Sequence, residues 1–217
     1  TADQTLANGQ IYDSNRQTLA ALLQHPMINA IDLGLAKDDP EELRTLFVDA
    51  AQQADVVITS GGVSVGDADF VKPIFSELGT IDFWRIAIKP GRPLAFGKLD
   101  QCWFFGLPGN PVSSYVTFDL FVRPALRRLA GAATATPLTI KANVGHAIRK
   151  RAGRQEYQRG KLEQSADGTF TVSSTGNQSS GVLSSVSLAN CYIVLPAPCD
   201  GVNAGDLVNV QPFSNLL

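Results

Sequence analysis

The chain has 217 residues, of which 44% are hydrophobic and 18% charged, and a net charge of −2. This is the make-up of a globular protein with one large or two small domains. It excludes a general nucleic-acid binder, which needs a basic surface. No apolar run approaches the roughly 18 residues of a membrane-spanning helix, and no basic-then-apolar leader is visible, so neither nucleic acid nor membrane is an expected partner. A chain of this size buries roughly 70% of the surface its unfolded form exposes, and so needs neither metal nor disulfide to fold. Cys102, Cys191 and Cys199 are odd in number and show no CxxC spacing, which reads as reduced thiols in a cytoplasmic protein. Charge is unevenly placed: residues 1–137 carry 11 Lys+Arg against 15 Asp+Glu, and residues 138–217 carry 7 against 5.

In chain order, residues 1–10 show no apolar period and read as loop. Thr18 to His25 puts Leu19, Leu22 and Leu23 on one helical face, with Ser14 as N-cap, Asp13 as its competitor and Pro26 as stop. Ile28, Ala30, Ile31 and Leu33 predict a short apolar strand. Asp38 to Glu42 supplies an Asp cap, a first-turn proline and early acids, which predicts a helix to about Ala54 with Leu43, Leu46, Phe47, Ala50 and Ala51 inward. Val56 to Ile58 reads as a buried parallel strand, the following glycine-rich stretch as a strand-to-helix turn, and Val71 to Leu78 as the helix.

Ile81 to Ile88 predicts a further strand. The segment Lys89-Pro90-Gly91-Arg92-Pro93 is forced into a loop, and Leu94 to Lys98 and Cys102 to Leu107 read as short strands. Asn110 and Pro111 suit the N-cap and N1 positions of a long helix ending near Leu129. Alternating strands and helices imply a three-layer αβα domain with a mostly parallel sheet over residues 1–133. Residues 134–137 read as a linker. Residues 138–217 show short β-type runs separated by Gly, Ser, Asn and Asp turns, which predicts a small all-β, barrel-like second domain.

Three polar, Gly/Pro-rich loops then stand at predicted strand ends: Ser60 to Asp69, Lys89 to Pro93 and Gly106 to Ser113. In a doubly wound sheet they converge on one edge. Backbone amides with the hydroxyls of Ser60, Ser64 and Ser113 suit a phosphate, and a helix starting at Asn110 adds about 0.3–1 kcal/mol for an anion. Lys89 and Arg92 are donors for an oxyanion, and Asp13, Asp67 and Asp69 suit Mg²⁺. Each also has a plainer reading: a tight turn at Gly61 and Gly62, helix caps at Asp13, Asp67 and Asp69, solvated charges at Lys89 and Arg92. The basic run Arg149-Lys150-Arg151, with Arg154 and Arg159, reads as a solvated hairpin tip, and His25 and His146 lack zinc-ligand spacing.

Four of these strings, Ile11-Tyr12-Asp13-Ser14-Asn15-Arg16, Ser60-Gly61-Gly62-Val63-Ser64-Val65-Gly66, Lys89-Pro90-Gly91-Arg92-Pro93 and Gly106-Leu107-Pro108-Gly109-Asn110-Pro111, occur in one order. Together they closely resemble the molybdopterin molybdenumtransferases, the MoeA proteins of bacteria and the E domain of gephyrin. The β-rich tail resembles the family's small C-terminal barrel, and Thr175 to Ser180 is similar to a stretch that faces the active cleft. The resemblance implies a transferase of molybdenum cofactor assembly. It would take adenylylated molybdopterin and molybdate with Mg²⁺, release AMP and place the metal on the dithiolene. Carried over by motif, Asp13, Asp69, Lys89 and Arg92 would act in the reaction, and Asp67 and Asp69 would hold the metal ion. Ser60, Gly61, Gly62, Ser64, Gly66, Pro108, Gly109, Asn110, Pro111, Ser113 and Ser180 would bind the pterin part. Arg92 replaces a frequent lysine and Asp67 a frequent glutamate. Both keep the charge, although an arginine fork alters oxyanion geometry.

Full-length members resemble this chain only in their last two domains, and the sequence starts after the family's first sheet strand. The resemblance therefore implies a piece that is inactive alone, belongs to a homodimer, and leaves unpaired groups along the neighbours of that strand. An upstream molybdopterin adenylyltransferase is an implied partner. A non-catalytic molybdopterin-binding or peptide-anchoring scaffold is the competing reading. The adenylyltransferase activity itself fits less well, because that enzyme type lacks a tail like residues 138–217.

Overall fold

The computed structural model describes residue 7 and residues 11–36, 39–63, 70–133 and 136–213, with backbone only at 83 and 84. Helix α1 (Ser14–Leu22) is capped by Asp13, whose Oδ1 accepts the Arg16 amide at 3.1 Å, so Ser14 is the first helical residue and not the cap. The competing candidate prevails because its carboxylate reaches the orphan amide three residues on. Helix α2 (Pro40–Gln53) is capped by Asp39 through the amides of Glu41 and Glu42. It leads into β1 (Val56–Ser60), and α3 (Val71–Leu78) follows. Strands β2 (Thr80–Arg85), β3 (Ile88–Lys89), β4 (Pro93–Leu99) and β5 (Cys102–Leu107) come next.

The expected α/β class is present, and its strand directions are mixed. The order is β1-β5-β4-β2, with β1 parallel to β5 and the other two pairings antiparallel. The short Asp100-Gln101 connection makes β4 and β5 a hairpin, with Asp100 at φ +53, and a hairpin is necessarily antiparallel. Alternation sorts the sheet's two faces. Val57 and Phe104 join Leu43, Phe47 and Ala50 of α2 and Ile74 and Phe75 of α3 on one side. Leu94, Phe105 and Leu107 meet Leu19 of α1, Phe118 and Val122 on the other. Phe104 is fully buried between Phe47 and Phe75, with ring centroids 5.7 and 4.2 Å away.

The long helix predicted from Pro111 is α4 (Pro111–Thr117), a π-helical turn (Phe118–Val122) and α5 (Arg123–Leu129). Pro124 has no amide to donate, and the ladder shifts locally so that the Arg123 amide reaches Phe118 O. The turn carries a buried ion pair, Asp119 to Arg123 at 2.7 Å, beside the Tyr192 hydroxyl. Burial pushes the Asp119 carboxyl up, and the Arg123 charge opposes that shift.

The strand predicted at residues 28–33 is not formed. Residues 28–36 are irregular, with Ile31, Leu33 and Leu35 exposed by 50%, 47% and 72%. An apolar run becomes a strand only where a neighbour completes its ladder, and among the described residues none lies beside this one. A cavity of about 820 Å³ separates it from β1 and is lined by Leu33, Phe47, Val56, Ile58 and Leu126 among others. Among the described residues, strand β1 pairs on one side only, with β5.

The second sheet closes. Strands β6 (Ile140–Val144), β8 (Gln155–Gln164), β9 (Phe170–Ser174), β10 (Cys191–Leu195) and β12 (Leu207–Pro212) form a five-stranded ring, closed by β8 pairing with β10. A ribbon of β7 (Ile148–Arg149) and β11 (Gly201–Val202) and a one-turn helix α6 (Ser184–Ser187) complete it. Strand β3, from the α/β part of the sequence, adds to this sheet in parallel with β8. The barrel packs on α4 through Val112, Val116, Tyr115, Tyr192 and Phe213. All three cysteines are free thiols.

Truncation of Phe104 to alanine removes the ring that joins α2, α3 and the sheet. It is expected to cost about 3–5 kcal/mol in urea unfolding, against under about 0.5 kcal/mol for a change at exposed Gln52.

Candidate functional site

The parallel pairing of β1 with β5 sets Ser60 opposite Leu107, so the turns that follow both strands leave the sheet side by side. Gly61 and Gly62 have φ of +89 and +70, values that a side chain disfavours. The Gly61 amide donates to Leu107 O at 3.0 Å. Gly109 sits so close that a Cβ there would lie 3.7 Å from Gly61 Cα, and a Cβ at Gly106 would strike Val63 Cγ1 at 2.5 Å.

Asn15, on the first turn of α1 and only 9% exposed, locks the two turns together. Its Nδ2 donates at 2.7 Å both to Ser60 Oγ and to Gly109 O, while Ser60 Oγ lies 3.5 Å from Pro108 O. Asn15 belongs to the Asp13-Ser14-Asn15 string but was not a site candidate from sequence, since a single Asn on a helix carries no spacing signal.

The Lys89–Pro93 loop reaches the same edge by another route. Strand β4 runs antiparallel to β5, so the start of β4 lies beside the end of β5, with Ala95 opposite Gly106. The loop packs on α4: Gly91 has φ +106, and a Cβ there would come within 2.5 Å of Thr117 Cγ2 and 3.7 Å of Ser113 O. Lys89 Nζ donates to Glu156 Oε1 of β8 at 3.1 Å, and Arg92 is exposed. Asn110 stands at the N-cap of α4 without a side-chain capping bond. Pro111 has no amide, and the amide of Val112 donates to Ser180 O at 3.0 Å, so a barrel loop caps this helix start. Ser113 is buried.

Asp13 lines the mouth of the cavity beside β1 together with Ser60, Gly61 and Gly62. Thr59 Oγ1, on the same strand, is buried with no hydrogen-bond partner among the described residues. Ser64, Gly66, Asp67 and Asp69 lie outside the described residues. Among those described, no group of three or more His, Cys, Asp and Glu could hold a metal ion.

Two basic residues read as a solvated hairpin tip are buried instead. Arg159 is 1% exposed. Its Nε donates to Ser185 Oγ at 3.1 Å and its Nη2 to Ser179 O at 3.4 Å, while its backbone amide and carbonyl are both bonded by the Gln178 side chain. Burial pushes its guanidinium down to about 10, and it remains a cation at neutral pH. Lys150 is 7% exposed and donates to the carbonyls of Arg151, Ala197 and Cys199. Charge density in the sequence does not reveal burial: Arg159 lies on a barrel strand and Lys150 next to one, and surrounding loops meet their charges with oxygen atoms.

A mixed α/β layer with paired glycine-rich turns at its strand ends, docked on a closed barrel, defines an α/β protein with an appended β-barrel. Residues 1–128 match the family described as "Probable molybdopterin binding domain", and residues 141–213 match "MoeA C-terminal region (domain IV)". The chain belongs to the MoeA family. It is 46% identical over 213 residues to the molybdopterin molybdenumtransferase of Haemophilus influenzae, covering 98% of this chain and 53% of that protein. It is 34% identical to gephyrin of Dictyostelium discoideum, covering 97% of this chain and 34% of that one. A crystal structure of the MoeA protein from Pyrococcus horikoshii superposes with a TM-score of 0.80 at 30% identity, over 99% of this chain and 51% of that one. The chain thus spans about half the length, or less, of these relatives.

Replacing Asn15 with alanine is expected to lower stability by about 1–3 kcal/mol and to speed hydrogen exchange at the Gly61 amide. Unchanged exchange there would separate Asn15 from the turn geometry.

Proposed function

We propose that the protein to which this chain belongs inserts molybdenum into molybdopterin during molybdenum cofactor biosynthesis, accepting the adenylylated pterin and releasing AMP. The observation that carries this reading is the Asn15 clasp, which presets the Ser60–Gly62 and Pro108–Gly109 turns side by side with their backbones close together. The Gly61 amide is taken by Leu107 O and Pro108 has none, so it is the amides of Gly62 and Gly109 that are held in that way for a phosphate, without the cost of ordering a mobile loop. The names of the relatives supply the chemistry: several are molybdenumtransferases.

In this reading Ser60, Gly61, Gly62, Ser64 and Gly66, with Pro108, Gly109, Asn110, Pro111 and Ser113, hold the pterin and its phosphate, and Ser180 closes the site from the barrel. Lys89 and Arg92 neutralise molybdate or phosphate oxygens. Asp13 and Asp69 serve the reacting group, and Asp67 with Asp69 would hold Mg²⁺, whose chemistry is to neutralise phosphate oxygens. Residues 1–133 form the pterin-binding domain and 138–217 the barrel domain, joined at 134–137. The cavity beside β1 then seats one more strand. The side of β1 with no partner among the described residues, the solvent-facing Ile31 and Leu33 and the Thr59 hydroxyl with no partner among those residues support that placement. The active form is a cytoplasmic homodimer, fed by a molybdopterin adenylyltransferase, and this chain alone is inactive.

Substituting Asp69→Asn in the full-length protein, with metal insertion followed by activation of an apo-molybdoenzyme, tests the reading. A fall of about 100-fold or more is expected. Unchanged insertion would favour a non-catalytic molybdopterin-binding or peptide-anchoring scaffold.

A further inference from the structure

Lys89 belongs in sequence to the α/β part, yet the structure seats it on the barrel. Strand β3 pairs in parallel with β8, which places Lys89 opposite Glu156, and the Gln155 amide donates to Ala87 O at 3.1 Å. The Lys89 ammonium meets Glu156 Oε1 at 3.1 Å. The Glu156 side chain is 5% exposed and that of Lys89 is 48% exposed. The other carboxylate oxygen, Oε2, accepts from Gln158 Nε2 at 2.9 Å, and Gln158 is itself 6% exposed. A lysine is thus tethered by a buried acid, which a buried amide two residues along the same strand holds in turn.

We propose that Glu156 is a positioning residue for Lys89, with Gln158 as its support, and that this relay from the barrel aims the ammonium at an oxyanion such as molybdate. The proposal rests on the reading of Lys89 as an oxyanion-binding cation. A free lysine side chain carries about 2 kcal/mol of rotamer entropy, which a ligand must overcome to use it. Tethering one of the three ammonium donors to Glu156 removes much of that cost before the ligand arrives, and leaves two donors for the exposed side. The backbone beneath is already anchored, since Gly91 packs against Thr117 and Ile86 donates to Arg92 O at 3.0 Å. Only the side chain remains to be aimed.

Charge alone predicts the opposite effect. A carboxylate beside the cation weakens its attraction for an anion, so a neutral residue at 156 would tighten binding if the field decided the matter. Glutamine is the informative replacement because it offers one acceptor oxygen where the carboxylate offers two. Either Lys89 or Gln158 then faces an amide N–H₂.

The experiment is calorimetric titration of inorganic molybdate into the full-length protein and into the variants Glu156→Gln, Gln158→Met, Lys89→Gln and the double variant Lys89→Gln/Glu156→Gln, each checked by circular dichroism and thermal melting. Molybdate affinity is expected to fall about 10-fold in Glu156→Gln and about 3-fold in Gln158→Met, where the carboxylate charge is retained. It should fall at least 10-fold in Lys89→Gln, with no further loss in the double variant. Wild-type or tighter binding by Glu156→Gln, or additive losses in the double variant, overturns the positioning role while leaving Lys89 as an oxyanion ligand. Unchanged binding by Lys89→Gln removes the ligand role itself and the positioning role with it. If Glu156→Gln does not fold, Gln158→Met decides, and wild-type affinity there overturns the proposal.

Discussion

The parallel pairing of β1 with β5 is the constraint on which the candidate site depends. These two strands are far apart in sequence, and α3, β2, β3 and β4 lie between them. Once they pair in register, with Ser60 opposite Leu107, two glycine-bearing turns must leave the sheet at one place. Nothing local to either turn demands this. The geometry at the contact then selects the residues: glycine where φ is positive at 61 and 62, and glycine at 106 where Val63 leaves no room for a Cβ. Asn15 supplies the polar clasp that apolar packing cannot provide.

A second constraint links the two parts of the chain. The barrel does more than follow the α/β layer: it takes β3 as an added strand, caps α4 through Ser180 O and covers Val112 and Val116. The contact is both apolar and charged. Tyr192, fully buried, lies beside the Asp119–Arg123 pair at a π-helical turn, and burial drives its hydroxyl well above the ordinary tyrosine range. Tyr115 nearby is likewise pushed up to about 12 by burial. Such groups stay protonated through the physiological range, so they pack at the contact without titrating. Removing one partner of the Asp119–Arg123 pair would leave a buried charge uncompensated.

Buried cations form a further theme. Arg159 and Lys150 are both enclosed, and both are met by oxygens of loops and of the one-turn helix α6: Ser179, Ser185, Ala197 and Cys199 among them. Each fastens an irregular segment to a strand of the barrel or its flank. At these two positions positive charge holds neighbouring segments in shape, whereas the tethered Lys89 stays half open to solvent.

Much was legible in the sequence because it depends on local chemistry. Helix α3 has the predicted bounds, α2 is capped by an Asp with a proline at its first turn, and β5 and β10 run over the predicted residues. Apolar period, caps and prolines act within a few residues, and so they can be read without a fold. The four motif strings likewise carried the family, which the matches over residues 1–128 and 141–213 bear out. What depends on distant partners was not legible. The apolar run at 28–33 has strand chemistry but no neighbour among the described residues, so it remains irregular. The reversed direction of β4 followed from a hairpin and not from the alternation of helices and strands. Glu156, Asn15 and Arg159 look like ordinary polar residues in one dimension. Their roles come from contacts with residues 67, 45, 94 and 26 positions away, which exist only once β1 meets β5 and the barrel closes. The sequence by itself determined the family and most of the elements, those whose signals are local, while the strand predicted at 28–33 did not form and the strand predicted at 81–88 divided into β2 and β3. The tertiary structure decided which polar groups face one another, because burial and partner are properties of the packed chain.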